Sequence, residues 1–241
     1  MKYVRDTTGR FRQRPHYEPA ELDEECERII TDFLIGQYGQ LVFPIPTDAL
    51  TNLLERDAAD LDLYADLSGE GTDVGGVTDF YPGKKPRVRI ARELSEQAWR
   101  QNRLRTTLTH EYGHVKFHGF LWDLEPEPDG LFSELHVKAS PKCKRENILG
   151  ASQTDWMEWQ AGYVCGAILM PRARVKQIAS TYSEEHDLYL PVRAGSAPAD
   201  GLVRRIVEAF DVSEEAAKVR LLKMGSLVDH DVPRSLFGKQ G

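Results

Sequence analysis

The sequence predicts an α+β fold, in which a small antiparallel sheet packs on one central helix and a helical segment follows at the C-terminus. Apolar residues recur at helical spacing over residues 19 to 36, alternate with polar residues between 59 and 92, and then return to helical spacing. The chain has 241 residues, of which 41% are hydrophobic and 29% charged, which is ordinary for a globular protein with a substantial core.

The N-terminal region divides into a basic segment and a packing helix. Residues 1 to 18 are rich in arginine and poor in apolar residues, so we expect a flexible basic arm there. The helix that follows begins at Pro19, beside acidic residues that suit a helix N-terminus. A second, shorter helix is expected to begin near Thr47 or Asp48 and to bury the leucines that follow.

In the middle of the chain, the sequence predicts a β-hairpin followed by a helix. The segments GVTDFY and RVRIA flank the turn-forming stretch PGKKP. Helical spacing then resumes, with an apolar stripe that leaves His110, His114 and His118 together on another stripe of the same helix.

The C-terminal half begins with an irregular stretch and ends in helices. Residues 123 to 152 are mostly polar and lack a regular period, which predicts a long surface excursion. An apolar helix is expected from 156 to 170, stopped by Pro171, and Ser213 is expected to cap the N-terminus of the last helix. We therefore divide the chain into the arm, a core over residues 19 to 182 that includes the excursion, and a helical segment over residues 183 to 241.

Charge, apolar runs and cysteines exclude several classes of protein. The formal net charge of −7 gives the whole chain no general attraction for nucleic acid, although a local contact by the basic arm stays open. The most apolar run, residues 163 to 170, is too short to cross a bilayer, and the N-terminus lacks the apolar stretch of an export signal. We expect a cytoplasmic protein without a membrane partner. Three scattered cysteines, Cys26, Cys143 and Cys165, predict no disulfide framework.

The motif His-Glu-x-x-His is the first candidate for a chemical site. Residues four apart on a helix share a face, so His110 and His114 can direct imidazole nitrogens to one ion about 2 Å from each. Glu111 lies beside this pair, near enough to reach a water molecule on the ion but not to bind the ion itself. We therefore predict a metal site in which Glu111 is the general base. The alternative is an ordinary helix with two histidines on its surface.

A third protein ligand must come from elsewhere in the chain. The metzincin pattern is excluded, because Phe117 and Phe120 occupy the positions where it requires glycine and histidine. A carboxylate within an apolar helix is costly to bury unless a cation pairs with it, so we expect Glu158 to be the third ligand. The alternative for Glu158 is an exposed position on an amphipathic helix. The other downstream donors are Glu134, His136 and Asp155.

His118 and Tyr163 are further candidates for the site. His118 extends the histidine stripe by one more turn, which a straight helix places beyond reach of the same ion, so we expect it behind a ligand or in the cleft. Tyr163, His136 and His186 are candidates for stabilising the oxyanion of a reaction intermediate, and the sequence does not select among them.

The stretch HEYGHVKFH, followed at a distance by EWQAGYVCGAILMP, resembles the ImmA/IrrE family of zinc metallopeptidases. Members typically show His-Glu-x-x-His, often with a further histidine four residues on, and then Glu-x-x-Ala-x-x-Phe-Ala with a Leu-Met-Pro ending. Glu158 and Ala161 match the second pattern, whereas Val164 and Cys165 replace its aromatic residue and its alanine. The closing AFDVSEEAAKVRLLKMG also resembles the C-terminal helical segment of the family, so the resemblance covers residues 25 to 225 with gaps at the excursion.

This resemblance implies a zincin-like core with a gluzincin-like ligand set, in which His110, His114 and Glu158 bind Zn²⁺ and Glu111 is catalytic. It also implies a protein substrate, since the members are similar in cleaving helix-turn-helix transcriptional repressors. We therefore expect a zinc metalloendopeptidase. The alternative is a non-enzymatic regulator, in which zinc is structural and basic residues of the last helices bind DNA or a protein partner. Those residues are Arg204, Arg205, Lys218, Arg220 and Lys223.

Overall fold

The computed structural model describes residues 1–71, 73–123, 142–144 and 155–229. These residues form eight α-helices and three small sheets, in agreement with the predicted α+β class. They fall into two compact units, which divide between Pro171 and Arg172. The division comes before the predicted boundary at residue 182, because the helix that follows Pro171 belongs to the second unit.

Residues 1 to 18, for which the composition predicts a flexible basic arm, carry two strands within the first unit. They contain an antiparallel hairpin of β1 (Lys2–Arg5) and β2 (Gln13–His16). Phe11 is buried, with its ring centroid 4.7 Å from that of Trp122. The Asp6 carboxylate accepts a hydrogen bond from the Trp156 indole at 3.2 Å. One aromatic ring and one carboxylate therefore anchor a segment whose arginines dominate its composition.

Five α-helices of the first unit lie among the described residues. They are α1 (Pro19–Tyr38), α2 (Thr47–Asp57), α3 (Arg92–Glu96), α4 (Gln101–His118) and α5 (Trp156–Leu169). Helix α1 begins at the predicted residue, because Pro19 suits its first turn and the Glu21 carboxylate accepts a hydrogen bond from the Glu18 backbone N–H at 2.9 Å. None of the helices among the described residues is long and apolar enough to cross a bilayer.

A four-stranded sheet completes the first unit, in the order β3-β5-β4-β6. Its strands are β3 (Asp60–Ala65), β4 (Val74–Tyr81), β5 (Lys84–Ala91) and β6 (Lys142–Lys144). Strands β4 and β5 form the predicted hairpin. The prediction of a purely antiparallel sheet was wrong, because β3 pairs with β5 in parallel. Alternation along β3 indicates a half-buried strand, but it does not determine the direction of its neighbour.

Helix α4 packs against α2, α5 and β4 within the first unit. Its predicted apolar stripe is buried, including Leu108, Tyr112 and Val115. The Tyr112 hydroxyl donates a hydrogen bond to Asp57 of α2 at 3.0 Å. Most of the predicted excursion over residues 123 to 152 lies outside the described residues.

The described residues of the second unit form three helices and a pair of short parallel strands. These elements are α6 (Arg172–Glu185), β7 (Val192–Arg193), α7 (Ala197–Phe210), α8 (Glu214–Lys223) and β8 (Leu227–Val228). Helix α8 begins as predicted, since the Ser213 hydroxyl accepts a hydrogen bond from the Ala216 N–H at 3.2 Å. Gly225 follows the helix with a φ of 71°, a conformation that glycine adopts without strain.

Candidate metal centre

Helix α4 carries the histidine stripe into the interior of the first unit. The side chains of His110, His114 and His118 are all 0% exposed, and so is that of Glu111. An ordinary amphipathic helix would turn such residues to solvent, because burying polar groups without partners costs free energy. The burial argues against the alternative of two surface histidines.

Helix α5 runs antiparallel to α4 and brings a carboxylate to the histidines. Thr109 hydrogen-bonds Cys165 at one end of the contact, and the His118 ring stacks edge-on against Trp156 at the other. Between them, a Cβ added to Gly113 would lie 2.9 Å from the Ala161 Cα. Glycine at this position therefore allows the close approach of the two helices.

Glu158 of α5 meets both histidines. Its Oε2 lies 3.2 Å from His110 Nε2, and its Oε1 lies 3.3 Å from His114 Nε2. The two Nε2 atoms are 3.2 Å apart. Donors at the corners of a tetrahedron, each about 2.0–2.1 Å from a central zinc ion, are about 3.3–3.4 Å apart. Each Glu158 oxygen lies at about this separation from one histidine nitrogen, and the two nitrogens lie at about this separation from each other. This buried His-His-Glu group could hold a metal ion.

The Glu158 carboxylate is suited to pair with a cation. Burial by itself would raise its pKa, but the neighbouring His114 and His110 rings outweigh burial and lower the pKa well below the ordinary value. The ionised form, which is the form that ligates metals, is therefore favoured in the folded protein.

The other predicted donors do not join this group within the described part of the chain. Asp155 lies on the surface, where it forms an ion pair with Arg10 at 3.6 Å. Glu134 and His136 lie outside the described residues. Among the residues that the structure describes, His110, His114 and Glu158 alone form a group of donors close enough together to hold a metal ion.

Glu111 faces strand β4. The Thr78 hydroxyl donates a hydrogen bond to Glu111 Oε2. A Cβ added to Gly76 would lie 2.5 Å from Glu111 Oε1, so only glycine leaves room for this carboxylate. Strand β4 therefore forms a wall that fixes the orientation of the predicted general base.

His118 contacts His114, one of the predicted ligands, but is not part of the group of three metal donors. Its Nδ1 lies 3.0 Å from His114 Nδ1, on the side of that ring away from Glu158. Its Nε2 lies 3.0 Å from Gln160 Oε1, and the Gln160 amide nitrogen donates to the Pro15 carbonyl at 3.0 Å. Burial and, to a smaller degree, the His114 ring lower the pKa of His118 well below its ordinary value.

Tyr163 and His186, two of the residues predicted as candidates for stabilising the oxyanion, contact other groups. The single proton of the Tyr163 hydroxyl is donated to Asp23 of α1 at 2.9 Å. His186, in the second unit, hydrogen-bonds the Tyr182 carbonyl and stacks on the Tyr182 ring. These contacts give no geometric support to an oxyanion role for either residue.

Sequence reasoning missed three residues that support the site, namely Gly76, Thr78 and Gln160. A signal existed for the first, because glycine inside a strand often marks the close approach of another group. Gln160 offered a weaker signal, as a polar side chain two positions after the predicted ligand in an apolar helix. Nothing in the sequence relates Thr78 to Glu111, which lies on a different element.

The basic residues assigned to the regulator alternative do not form one exposed face. Arg220 is buried, with 2% of its surface exposed. Arg205 forms an ion pair with Glu185 at 2.5 Å. The burial of Arg220 and the ion pair of Arg205 thus weaken the prediction of a DNA-binding surface there.

Comparison with known proteins adds no family assignment. No protein-family model and no curated protein matches the chain. The likeness to the ImmA/IrrE family therefore rests on the motif residues alone.

Proposed function

We propose that the protein is a zinc-dependent endopeptidase of the ImmA/IrrE type. The observation that carries this proposal is the buried triangle of His110 Nε2, His114 Nε2 and a Glu158 oxygen, with Glu111 next to the first ligand in sequence. Two imidazoles and one carboxylate are the protein donors of many catalytic zinc sites, which keep a fourth position open. A structural site would more often have four protein ligands and would have no use for Glu111.

The residues of the chain would divide the chemistry among themselves. Zinc, when bound, would act as a Lewis acid that polarises the scissile carbonyl and lowers the pKa of a water molecule. Glu111 would accept the proton of this water and deliver it to the leaving amine. Thr78 would hold the Glu111 carboxylate in place during both transfers, through the hydrogen bond to Oε2.

Strand β4 is the part of the sheet that a substrate would reach. Pairing of an extended peptide with the β4–β5 hairpin would involve β4, because β5 has a strand on each side. Among the described residues, strand β6 pairs with β4 at Val74, Gly76 and Val77, so a substrate that pairs with β4 would do so over residues 78 to 81. Since Thr78 contacts Glu111, a peptide bound there would lie next to the general base.

The substrate proposed is a helix-turn-helix transcriptional repressor. The support is the resemblance of the motifs to the ImmA/IrrE family, whose members cleave such proteins. The overall negative charge of the chain also favours a protein substrate over a nucleic acid one.

The experiment compares wild-type protein with Glu111→Gln on a helix-turn-helix repressor encoded beside this gene. Wild-type protein with zinc should cleave the repressor at a defined bond, found by mass spectrometry. Glu111→Gln should cleave about 10²- to 10⁴-fold more slowly, because general base catalysis contributes a factor of this size, and should still bind zinc. Glu93→Gln, an exposed glutamate of α3, is the matched control and should cleave normally.

Undiminished cleavage by Glu111→Gln would sink the mechanism. Cleavage that survives complete removal of zinc would sink the assignment to metallopeptidases.

A further inference from the structure

A chain of hydrogen bonds leads from the N-terminal hairpin to one of the metal ligands. It runs from the Pro15 carbonyl through Gln160 and His118 to His114, and each step is 3.0 Å long. His118, His114 and Gln160 are buried, with at most 1% of their surface exposed. The proposed reaction uses neither Gln160 nor His118, so their burial needs another explanation.

The direction of each hydrogen bond follows from chemistry, starting at the proline. A carbonyl oxygen can only accept, so the Gln160 amide nitrogen must face Pro15. The Gln160 amide oxygen then faces His118, and this oxygen also can only accept. His118 must therefore carry a proton on Nε2.

The same reasoning gives the proton positions on the imidazole rings of His118 and His114. A histidine ligand that binds through Nε2 carries its proton on Nδ1. In the 3.0 Å contact between the two Nδ1 atoms, His114 is then the donor and His118 the acceptor, which agrees with a His118 proton on Nε2. The lone pair of His114 Nε2 is then directed towards Glu158 and His110, at the centre of the donor triangle.

We propose that His118 and Gln160 are positioning residues that hold His114 in the one tautomer able to bind a metal ion through Nε2. The Pro15 carbonyl is the fixed end of this chain, which makes the N-terminal hairpin part of the metal site. The inference rests on the ligand role of His114, and it does not depend on peptidase activity.

The other histidine ligand supplies a contrast. Its outward nitrogen, His110 Nδ1, has no hydrogen-bond partner among the described residues. A partner behind a histidine ligand typically changes metal affinity by a factor of about 10 to 100. The chain through His118 therefore has a measurable consequence at His114.

The experiment measures proton positions and zinc affinity together. Long-range ¹H–¹⁵N NMR of the wild-type protein should find a proton on His114 Nδ1 and one on His118 Nε2. His118→Phe and Gln160→Met should each bind zinc about 10- to 100-fold more weakly, in competition with a chromophoric chelator. Gln37→Met, an exposed glutamine of α1, should bind zinc as the wild type does.

A structural role for the chain would change the melting temperature of the metal-free protein and leave the tautomer of His114 unchanged in Gln160→Met. An unprotonated His114 Nδ1 in the wild-type protein would overturn the proposal, even if both variants failed to fold. So would zinc affinities within twofold of the wild type. A wild-type protein that binds no zinc would instead remove the proposed function, while the NMR result would still decide the proton positions.

Discussion

The two units of the protein differ sharply in what they bury. Helix α4 of the first unit alone buries Arg105, Thr107, Thr109, His110, Glu111, His114 and His118. In the second unit, Arg220 and Ser226 are the buried polar residues among those described. The second unit thus has the apolar interior that folding by itself produces, whereas the first unit has a polar interior around one helix.

This difference indicates which of the two units holds the candidate site. Burial of an unpaired polar group costs roughly 2–7 kcal/mol, and an isolated charge costs more, so stability alone does not explain a cluster of imidazoles and carboxylates. Buried titratable groups that partner one another are typical of functional sites. The second unit shows no comparable cluster among its described residues, so the proposed chemistry belongs to the first unit.

Gly76→Ala tests whether the packing of strand β4 against the Glu111 carboxylate is needed for catalysis. The new methyl group would displace the Glu111 carboxylate, which lies 2.5 Å from the position of the added Cβ. Because a displacement of about 1 Å can cost about 10²-fold in rate, cleavage should fall by about that factor while zinc binding persists. Measurements of kcat/KM and of zinc content separate the two effects.

The matched control for this variant is Gly36→Ala, since nothing lies within 4 Å of a Cβ added at Gly36. Equal rates for Gly76→Ala and the control would show that the position of Glu111 against β4 is irrelevant to catalysis.

Two further glycine variants compare the interiors of the two units directly. Gly113→Ala places a methyl group 2.9 Å from the Ala161 Cα, a backbone atom that cannot move alone, and should destabilise the protein by about 1–3 kcal/mol. Gly201→Ala meets the hydroxyl end of the Tyr182 side chain, which moves more easily than a backbone atom. Its cost should be offset in part by the higher helix propensity of alanine.

Urea unfolding of both variants measures the contrast. A larger loss for Gly201→Ala than for Gly113→Ala would contradict the close approach of α4 and α5.

Asp6→Asn, a variant in the N-terminal hairpin, gives the smallest expected effect on stability. Burial would raise the pKa of Asp6, but hydrogen bonds from Thr8, Phe11 and Trp156 outweigh it and lower the pKa below the usual value of about 3.9. The stabilisation by the carboxylate is therefore full above about pH 4 and is lost as the pH falls through the lowered pKa.

The wild-type protein should exceed Asp6→Asn in stability by about 1 kcal/mol at pH 7, and the gap should close in acid. Urea unfolding at several pH values tests this expectation. A gap that stays constant from pH 7 into acid would show that the carboxylate charge is not responsible.

Much of this contrast could be predicted from the sequence, because it depends on local patterns. The four-residue spacing of His110 and His114 predicts one half of the site, and the apolar residues around Glu158 predict the other. The helices followed from periodicity, from Pro19 and from Ser213, which are signals within a few residues of each helix.

The rest depends on contacts between distant segments. The parallel pairing of β3 with β5, the anchoring of Phe11 and the hydrogen bond from Gln160 to Pro15 each join residues far apart in the chain. The composition of the first 18 residues, which are rich in arginine, suggested a segment exposed to solvent. The burial of the Phe11 ring could not be predicted from that composition. No local pattern encodes such partners.

The most direct test of the metal site is the zinc content of wild-type protein and of Glu158→Ala, measured after dialysis against a weak chelator. Asp155→Ala is the matched control, because its carboxylate begins the same helix and pairs with Arg10 on the surface. We predict about one zinc per chain in the wild type and in the control, and a large loss in Glu158→Ala, since one of three protein ligands is gone. Zinc content in Glu158→Ala equal to that of the wild type would contradict the ligand set.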